Sequence, residues 1–136
     1  MSNAIEIKNL VVSFPTPAGY SAVVRGINLT INPGDRVAIV GESGSGKTMM
    51  GLSMLGIQPT SAQVEGEILI DDVNMVTAPD AVARKLRGNY ISMVFQEPLT
   101  SLNPVRTISS QLSESVRRHN SIGKKEAEAR VLEVLT

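Results

Sequence analysis

Residues 41–48 carry the clearest chemical pattern in the sequence. They read Gly-Glu-Ser-Gly-Ser-Gly-Lys-Thr, which matches G-x-x-x-x-G-K-[ST] at every fixed position. Glycines let successive backbone N–H groups approach a polyphosphate, and a lysine can reach its terminal oxygens. The threonine hydroxyl can bind Mg²⁺, and the N-terminus of a following helix adds a positive dipole. The predicted phosphate site therefore consists of Gly41, Glu42, Ser43, Gly44, Ser45, Gly46, Lys47 and Thr48.

The alternative interpretation of this segment is a glycine-rich turn that only joins a strand to a helix. A chance match in a chain of this length is expected about once in a few hundred sequences. Two other glycine motifs do not fit the residues. The dinucleotide pattern G-x-G-x-x-G, begun at Gly44, would need glycine at Met49. The nucleophile elbow G-x-S-x-G around Ser45 would need glycine at Ser43.

Gln96 is the second candidate, since it follows the apolar run Tyr90–Phe95. A side chain at the C-terminal end of a buried strand can face a bound nucleotide. Its carboxamide oxygen can contact Mg²⁺, and the group can hydrogen-bond a water. A surface glutamine that caps a turn is one alternative. Another is an acidic Mg²⁺-binding strand whose Asp has become Gln, which would leave Glu97 as candidate base in a weakened ATPase.

Composition narrows the classes of function. The 136 residues carry 13 Lys+Arg and 13 Asp+Glu, so no overall field draws the chain to nucleic acid or an anionic bilayer. Aromatic residues are only 3% and Trp is absent, which argues against a base-stacking platform. With no Cys and one His, cysteine or histidine metal clusters are excluded, and the composition suits a reducing cytoplasm. No apolar run approaches the roughly 18–20 residues of a membrane span.

The elements before the phosphate loop read as strands. Alternating apolar residues predict a strand over Ile5–Val12, and the prolines and glycine of 14–19 predict a loop. A second strand is predicted over Val23–Ile31, followed by a turn at Asn32–Asp35. Arg36–Val40 is a short continuous apolar run, typical of a strand buried on both faces in a parallel sheet. That strand would lead directly into the phosphate loop.

The segments after the phosphate loop are predicted to form helices and two further strands. Their predicted order is a buried helix over Thr48–Ile57, a strand over Gly66–Asp72, a short helix over Ala78–Leu86 and a buried strand over Tyr90–Phe95. The rest is helical, with apolar stripes at spacing four formed by Ile108, Leu112 and Val116 and by Ala127, Val131 and Leu135. Glu126 and Arg130 have the spacing of a helical ion pair, and Arg117, Arg118 and His119 read as a solvated face.

The phosphate loop and the segment Val94–Pro104 together resemble the ATP-binding subunit of an ABC transporter. The longer segment, Val-Phe-Gln-Glu-Pro-Leu-Thr-Ser-Leu-Asn-Pro, is similar to that of the dipeptide/oligopeptide/nickel importer branch. The resemblance covers residues 5–136, and the 49 positions from Lys47 to Gln96 suit the Q-loop of that family. The family's acidic strand comes much later, which argues against the reading of Gln96 as a replaced Asp.

The resemblance implies an α/β fold with an incomplete P-loop NTPase (ABC ATPase) core, an antiparallel β arm and the start of a helical subdomain. The expected division is residues 1–4 as a cloning remnant, 5–34 and 64–75 as the arm, 35–58 and 88–97 as the core, and 98–136 as the subdomain. It also implies that residues 41–48 bind ATP, that Lys47 and Gln96 act in catalysis, and that Thr48 and Gln96 contact Mg²⁺. Phe14, with Tyr20 as the alternative, would stack on adenine.

The resemblance further implies a transport-coupled ATPase at the inner face of the cell membrane. It would drive uptake of dipeptides, oligopeptides or a solute such as nickel, together with permease subunits and a second ATP-binding subunit. The family's signature segment, acidic strand and switch histidine come after the part present here, and His119 does not match that histidine. We therefore expect the 136 residues to be an N-terminal part that binds nucleotide weakly, turns it over negligibly and self-associates through an exposed sheet edge.

Other functions remain as alternatives from the residues. A regulatory or interaction module would bind nucleotide without hydrolysing it. A GTPase is disfavoured, because the sequence contains no Asn-Lys-x-Asp or Thr-Lys-x-Asp tetrapeptide. A small-molecule kinase is compatible with the phosphate loop, whereas the region around Gln96 argues against it.

Overall fold

The computed structural model describes residues 5–136, so the expected remnant at residues 1–4 lies outside the described part. The chain folds into two compact units, the first ending at Ser92 and the second spanning Met93–Thr136. None of the described helices is long and apolar enough to cross a membrane.

A four-stranded antiparallel sheet forms the base of the first unit, in the order β2-β1-β3-β4. Its strands are β1 (Ile5–Thr16), β2 (Gly19–Ile31), β3 (Gln63–Ile70) and β4 (Val73–Asn74). Strand β1 is central, because it pairs with β2 along one edge and with β3 along the other. The antiparallel arm predicted for the fold is thus confirmed.

The loop predicted over residues 14–19 is wrong, because β1 and β2 continue as a hairpin. Phe14 pairs with Ser21, and Thr16 pairs with Gly19. Beyond Ser13, β1 has no partner in β3 within the described ladder, so its outer edge is free there. A proline such as Pro15, which lacks an N–H group, is tolerated on a free edge. Only a tight turn therefore separates the two strands, in place of the predicted six-residue loop. In this turn Thr16 Oγ1 donates to the Gly19 carbonyl at 2.7 Å.

Two helices, α1 (Lys47–Leu55) and α2 (Asp80–Leu86), pack against this sheet, and the sequence predicted a helix in each of these two places. The buried cluster contains Ile7, Leu10, Val12, Val24, Ile68 and Ile70 from the strands, and Met50, Met75, Ala83 and Leu86 from the covering segments. Helix α1 ends at Gly56, whose φ is 64°. The Gly56 N–H donates to the Ser53 carbonyl and the Ile57 N–H to the Leu52 carbonyl, both at 3.0 Å, which is a Schellman cap.

The two parallel strands predicted over Arg36–Val40 and Tyr90–Phe95 are wrong for the described chain. Residues 36–40 lie outside the sheet, and Val40 is 88% exposed. In the second segment only Ile91 forms a bridge, to Arg87, and Val94 is 89% exposed. A parallel strand buried on both faces needs paired neighbours and covering layers, and neither segment has such neighbours among the described residues. The turn predicted before the first segment is present, with the Asp35 N–H donating to the Asn32 carbonyl at 3.0 Å.

The second unit is a helical hairpin preceded by a short 3-10 helix. The 3-10 helix spans Pro98–Ser101, and the hairpin consists of α3 (Ile108–His119) and α4 (Lys124–Leu135). Ala127 and Val131 of the predicted stripe are buried, whereas Leu135 is exposed. Thr107 caps α3, because its hydroxyl accepts from the Ser110 N–H at 3.2 Å.

Two expectations about helix surfaces differ in outcome. The face formed by Arg117, Arg118 and His119 is exposed, as predicted. The predicted pair of Glu126 with Arg130 is wrong, because the Arg130 guanidinium bonds Glu133 instead. Both carboxylates lie within one turn of Arg130, and the i,i+3 geometry places Glu133 at hydrogen-bond distance.

Candidate functional site

The predicted phosphate loop is an exposed turn that opens directly into α1. The Ser45 N–H donates to the Glu42 carbonyl at 3.2 Å, which closes the turn around Ser43 and Gly44. The helix begins at Lys47, and its first i to i−4 hydrogen bond runs from the Met50 N–H to the Gly46 carbonyl at 2.9 Å. The amides of residues 47–49 therefore have no i−4 acceptor within α1, as at any helix start.

Gly46 is required by the geometry of this turn. It precedes α1 with a φ of 90° and a ψ of 2°, in the left-handed region that L side chains rarely adopt. A Cβ added there would also lie 2.6 Å from the Val23 carbonyl oxygen and 3.0 Å from Val24 Cγ2. The last glycine of the motif thus serves both the turn and the close packing of the loop on β2.

The Lys47 ammonium is held over its own loop. Its Nζ donates to the Gly41 carbonyl at 2.8 Å, the Glu42 carbonyl at 2.7 Å and Ser45 Oγ at 3.1 Å. These three acceptors fix the cation over the turn, and Lys47 lines one cavity together with residues 44–46, Thr48 and Met49. A positive charge and several N–H donors therefore share one opening.

These groups fit a triphosphate with its magnesium ion. Phosphate oxygens accept from backbone amides and from an ammonium, and an anion is favoured at a helix N-terminus. Mg²⁺ in such sites keeps several waters and takes few protein ligands. That preference suits the exposed Thr48 in the first turn of α1.

Phe14 lies beside the loop, as the adenine-stacking hypothesis requires. A cavity of about 320 Å³ is lined by Phe14, Val23, residues 44–48 and Met49. Phe14 is half-buried in β1, and its ring packs against the core cluster. Tyr20 is exposed at the start of β2, pairs with Pro15 and does not line this cavity. The structure thus brings Phe14, Lys47 and Thr48 together.

Gln96 belongs to the second unit. It is exposed in the segment before the 3-10 helix, and it lines a shallow cavity with Phe95, Glu97, Thr100 and Ser101. Two hydroxyls brace that segment: Thr100 Oγ1 donates to the Glu97 carbonyl at 2.7 Å and Ser101 Oγ to the Pro98 carbonyl at 2.6 Å. An exposed carboxamide on a braced turn can contact a ligand, and its role in the nucleotide site remains a proposal.

Two residues that contact the loop or the helix after it, Val23 and Arg87, were missed by the sequence reasoning. Val23 lines the cavity with Phe14 and a larger one, of about 590 Å³, between the loop and β2. Its contact with Gly46 involves a backbone carbonyl, so no side-chain pattern could have identified it. Arg87 donates to the Leu55 and Gly56 carbonyls at the other end of α1. The sequence signal for this contact is weak: the last turn of α1 has no basic residue of its own to balance the negative end of the helix dipole.

The known proteins that this chain resembles are named as ATP-binding components of transporters. The family model described as "ABC transporter" matches residues 24–136. The chain is 38% identical over 135 residues to the oligopeptide transport ATP-binding protein OppD of Haemophilus influenzae, covering 99% of this chain and 42% of the relative. It is 41% identical over 138 residues to the dipeptide transport ATP-binding protein DppD of Bacillus subtilis, covering 100% of this chain and 41% of the relative.

A solved structure agrees with the sequence relatives. The ATP-binding cassette MJ0796, in its dimeric post-hydrolysis state bound to ADP and Pi, matches with a TM-score of 0.77 and 26% identity. The match covers 95% of this chain and 54% of that chain. The chain thus spans about two fifths of the length of these two transport proteins, and its fold is that of a partial P-loop ABC ATPase core. The chain belongs to the ABC transporter family, in the branch of the oligopeptide and dipeptide transport ATP-binding proteins.

Proposed function

We propose that this chain is the phosphate-binding part of an ATP-binding subunit that powers uptake of oligopeptides or dipeptides. The observation that carries the proposal is the loop before α1, where the Lys47 ammonium and the first-turn amides share one opening. The names of the transport relatives support the peptide cargo. Nickel is the alternative cargo for the same ATPase.

Each residue of the loop has a proposed task at the nucleotide. The amides of residues 44–48 donate to the phosphate oxygens, since glycines leave them accessible. Lys47 would exchange its bonds to the Gly41 and Glu42 carbonyls for bonds to the terminal phosphates, which are stronger because both partners are charged. Phe14 would pack its ring on adenine at the edge of the same cavity.

The metal and the second unit complete the proposal. We infer that the Thr48 hydroxyl and the Gln96 carboxamide are Mg²⁺ ligands, as the family resemblance implies. When bound, the magnesium nucleotide supplies the phosphoanhydride bond whose hydrolysis releases the energy for transport. We also propose residues 35–58 and 88–97 as the core of the nucleotide-binding domain and residues 98–136 as the start of its helical subdomain, with Gln96 just before that subdomain in the sequence.

The partners and location follow from the transporter assignment. We propose that the whole protein acts at the inner face of the membrane with permease subunits and with a second ATP-binding subunit, as in the dimeric cassette it resembles. For the 136 residues alone we propose weak nucleotide binding and negligible turnover. The family's Leu-Ser-Gly-Gly-Gln signature, which supports hydrolysis, is not among these residues. Exposed apolar residues such as Val40 are expected to promote self-association of this chain.

Equilibrium binding of Mg·ATP tests the proposed nucleotide site. Lys47→Ala is expected to weaken binding at least about tenfold, because charge-assisted hydrogen bonds to phosphate are lost. Lys85→Ala is the matched control, since Lys85 is an exposed lysine of α2. Equal affinities in the wild type and in Lys47→Ala would refute the phosphate role. Steady ATP turnover by the 136 residues that disappears in Lys47→Ala would refute the proposed inactivity.

Uptake by vesicles that contain the assembled transporter tests the cargo. Peptide uptake that depends on ATP and on Lys47 would support the peptide assignment. Uptake of nickel without uptake of peptides would assign the alternative cargo.

A further inference from the structure

Arg87 joins the end of α2 to the far end of the phosphate-loop helix. Its Nε donates to the Leu55 carbonyl at 2.7 Å, and its Nη2 donates to the Gly56 carbonyl at 3.1 Å. Its Nη1 donates to Asp80 Oδ1 at 3.2 Å. The side chain is only 25% exposed, so the planar guanidinium is held between one carboxylate and two helix-end carbonyls.

Helix α1 needs a cation at this end. The Schellman cap takes up the Leu52 and Ser53 carbonyls, but it leaves the last carbonyls of the helix without backbone donors. The last turn of α1, Leu-Ser-Met-Leu, is uncharged, so the negative end of the helix dipole has no counter-charge of its own. Arg87 supplies both the donors and the positive charge from more than 30 positions away.

We propose that Arg87 is a positioning residue for the phosphate loop and acts through α1. Lys47 and Thr48 are the first two residues of this helix, which has nine residues and is about 13 Å long. A helix this short transmits a displacement at Gly56 to its first turn as a rigid element. A phosphate at its N-terminus and a guanidinium at its C-terminus both favour the ordered helix, so each stabilises the state that the other binds and the two are energetically coupled.

This inference rests on the proposed function for its ligand, and Arg84 supplies the control. Arg84 binds Asp80 Oδ2 at 2.6 Å from the exposed surface of α2. Arg84→Met therefore removes one guanidinium from the same carboxylate and leaves the bonds of Arg87 to α1 in place. Arg87→Met removes those bonds. Arg87→Lys keeps the positive charge but cannot donate to several acceptors in the fixed directions of a planar guanidinium.

The test is Mg·ATP titration of the three variants far below their melting temperatures. Arg87→Met is expected to weaken binding about 5- to 10-fold, the low end of coupling between sites. Arg84→Met should bind as the wild type does, and Arg87→Lys should fall between them. A lower melting temperature with unchanged affinity in Arg87→Met would overturn the positioning role, since a purely structural cap predicts that result.

Amide hydrogen exchange without nucleotide keeps this test separate from the proposed function. In Arg87→Met, exchange is expected to accelerate both at Ile57, beside the lost bonds, and at Met50, at the loop end of α1. Acceleration confined to Ile57 would overturn the proposal. If the wild type does not bind Mg·ATP while Met50 still responds, the proposed function fails and the positioning role stands. Arg87→Lys gives both readouts if Arg87→Met does not fold.

Discussion

Gly46→Ala is the substitution whose cost the structure defines most sharply. An alanine at Gly46 would have to adopt a φ of 90°, and the left-handed region costs an L-residue about 1–2 kcal/mol. Its Cβ would also lie 2.6 Å from the Val23 carbonyl oxygen, so the loop or β2 must move. Forced rearrangement of this kind costs about 1–3 kcal/mol more. We therefore expect the free energy of unfolding to fall by about 2–5 kcal/mol.

Gly44→Ala separates the cost of the left-handed backbone from the cost of the steric clash. Gly44 also has a positive φ, 79°, but an added Cβ there would meet no atom within 4 Å among the described residues. The free energy of unfolding of this variant should fall only by the cost of the left-handed backbone, about 1–2 kcal/mol. Urea unfolding of both variants without nucleotide, followed by far-ultraviolet circular dichroism, gives the two free energies. Equal losses, or a larger loss in Gly44→Ala, would refute the claim that the loop packs against the Val23 backbone.

Two further predictions concern the adenine contact and acid stability. Phe14→Ala should weaken Mg·ATP binding about 5-fold or more, as the loss of a base-stacking aromatic does, while Tyr20→Ala should leave it unchanged; the opposite pattern would assign the contact to Tyr20. The hydrogen bond from Arg106 holds the pKa of Glu114 below its ordinary value, so this contact stabilises the second unit fully at pH values above the ordinary pKa, and the stabilisation is lost as the pH falls from there through the lowered pKa of the folded state. Glu114→Gln should therefore show a shallower loss of stability than the wild type between about pH 5 and 3, and identical acid unfolding curves would contradict this.

Local chemistry explains which features the sequence predicted correctly. Residues 41–48 specify their turn through glycine positions, and α1 follows from the apolar run after Lys47 and from its Gly56 cap. These features depend on neighbours within about ten positions. The strands of the arm were found for the same reason, since alternation within each segment marks its buried face.

Features that depend on distant partners were not predictable in this way. The apolar run of Arg36–Val40 has the composition of a buried strand, yet a strand forms only where other strands pair with it. Pro15 lies inside β1 although it is a strand breaker, because beyond Ser13 this strand is paired by β2 on one side only. Nothing in the sequence around Arg87 distinguishes it from a surface arginine at a helix end. Only the fold brings its guanidinium to the carbonyls at the end of α1.

The central claim is that the turn before α1 holds the phosphates of a magnesium nucleotide with backbone amides and the Lys47 ammonium. Titration of the ¹⁵N-labelled chain with Mg·ATP, followed by amide chemical shifts, tests it residue by residue. The account predicts that the largest shifts fall on residues 44–48, and that Lys47→Ala needs at least about ten times more nucleotide to produce them. Absence of shifts in this segment, or an unchanged titration curve in Lys47→Ala, would contradict the claim.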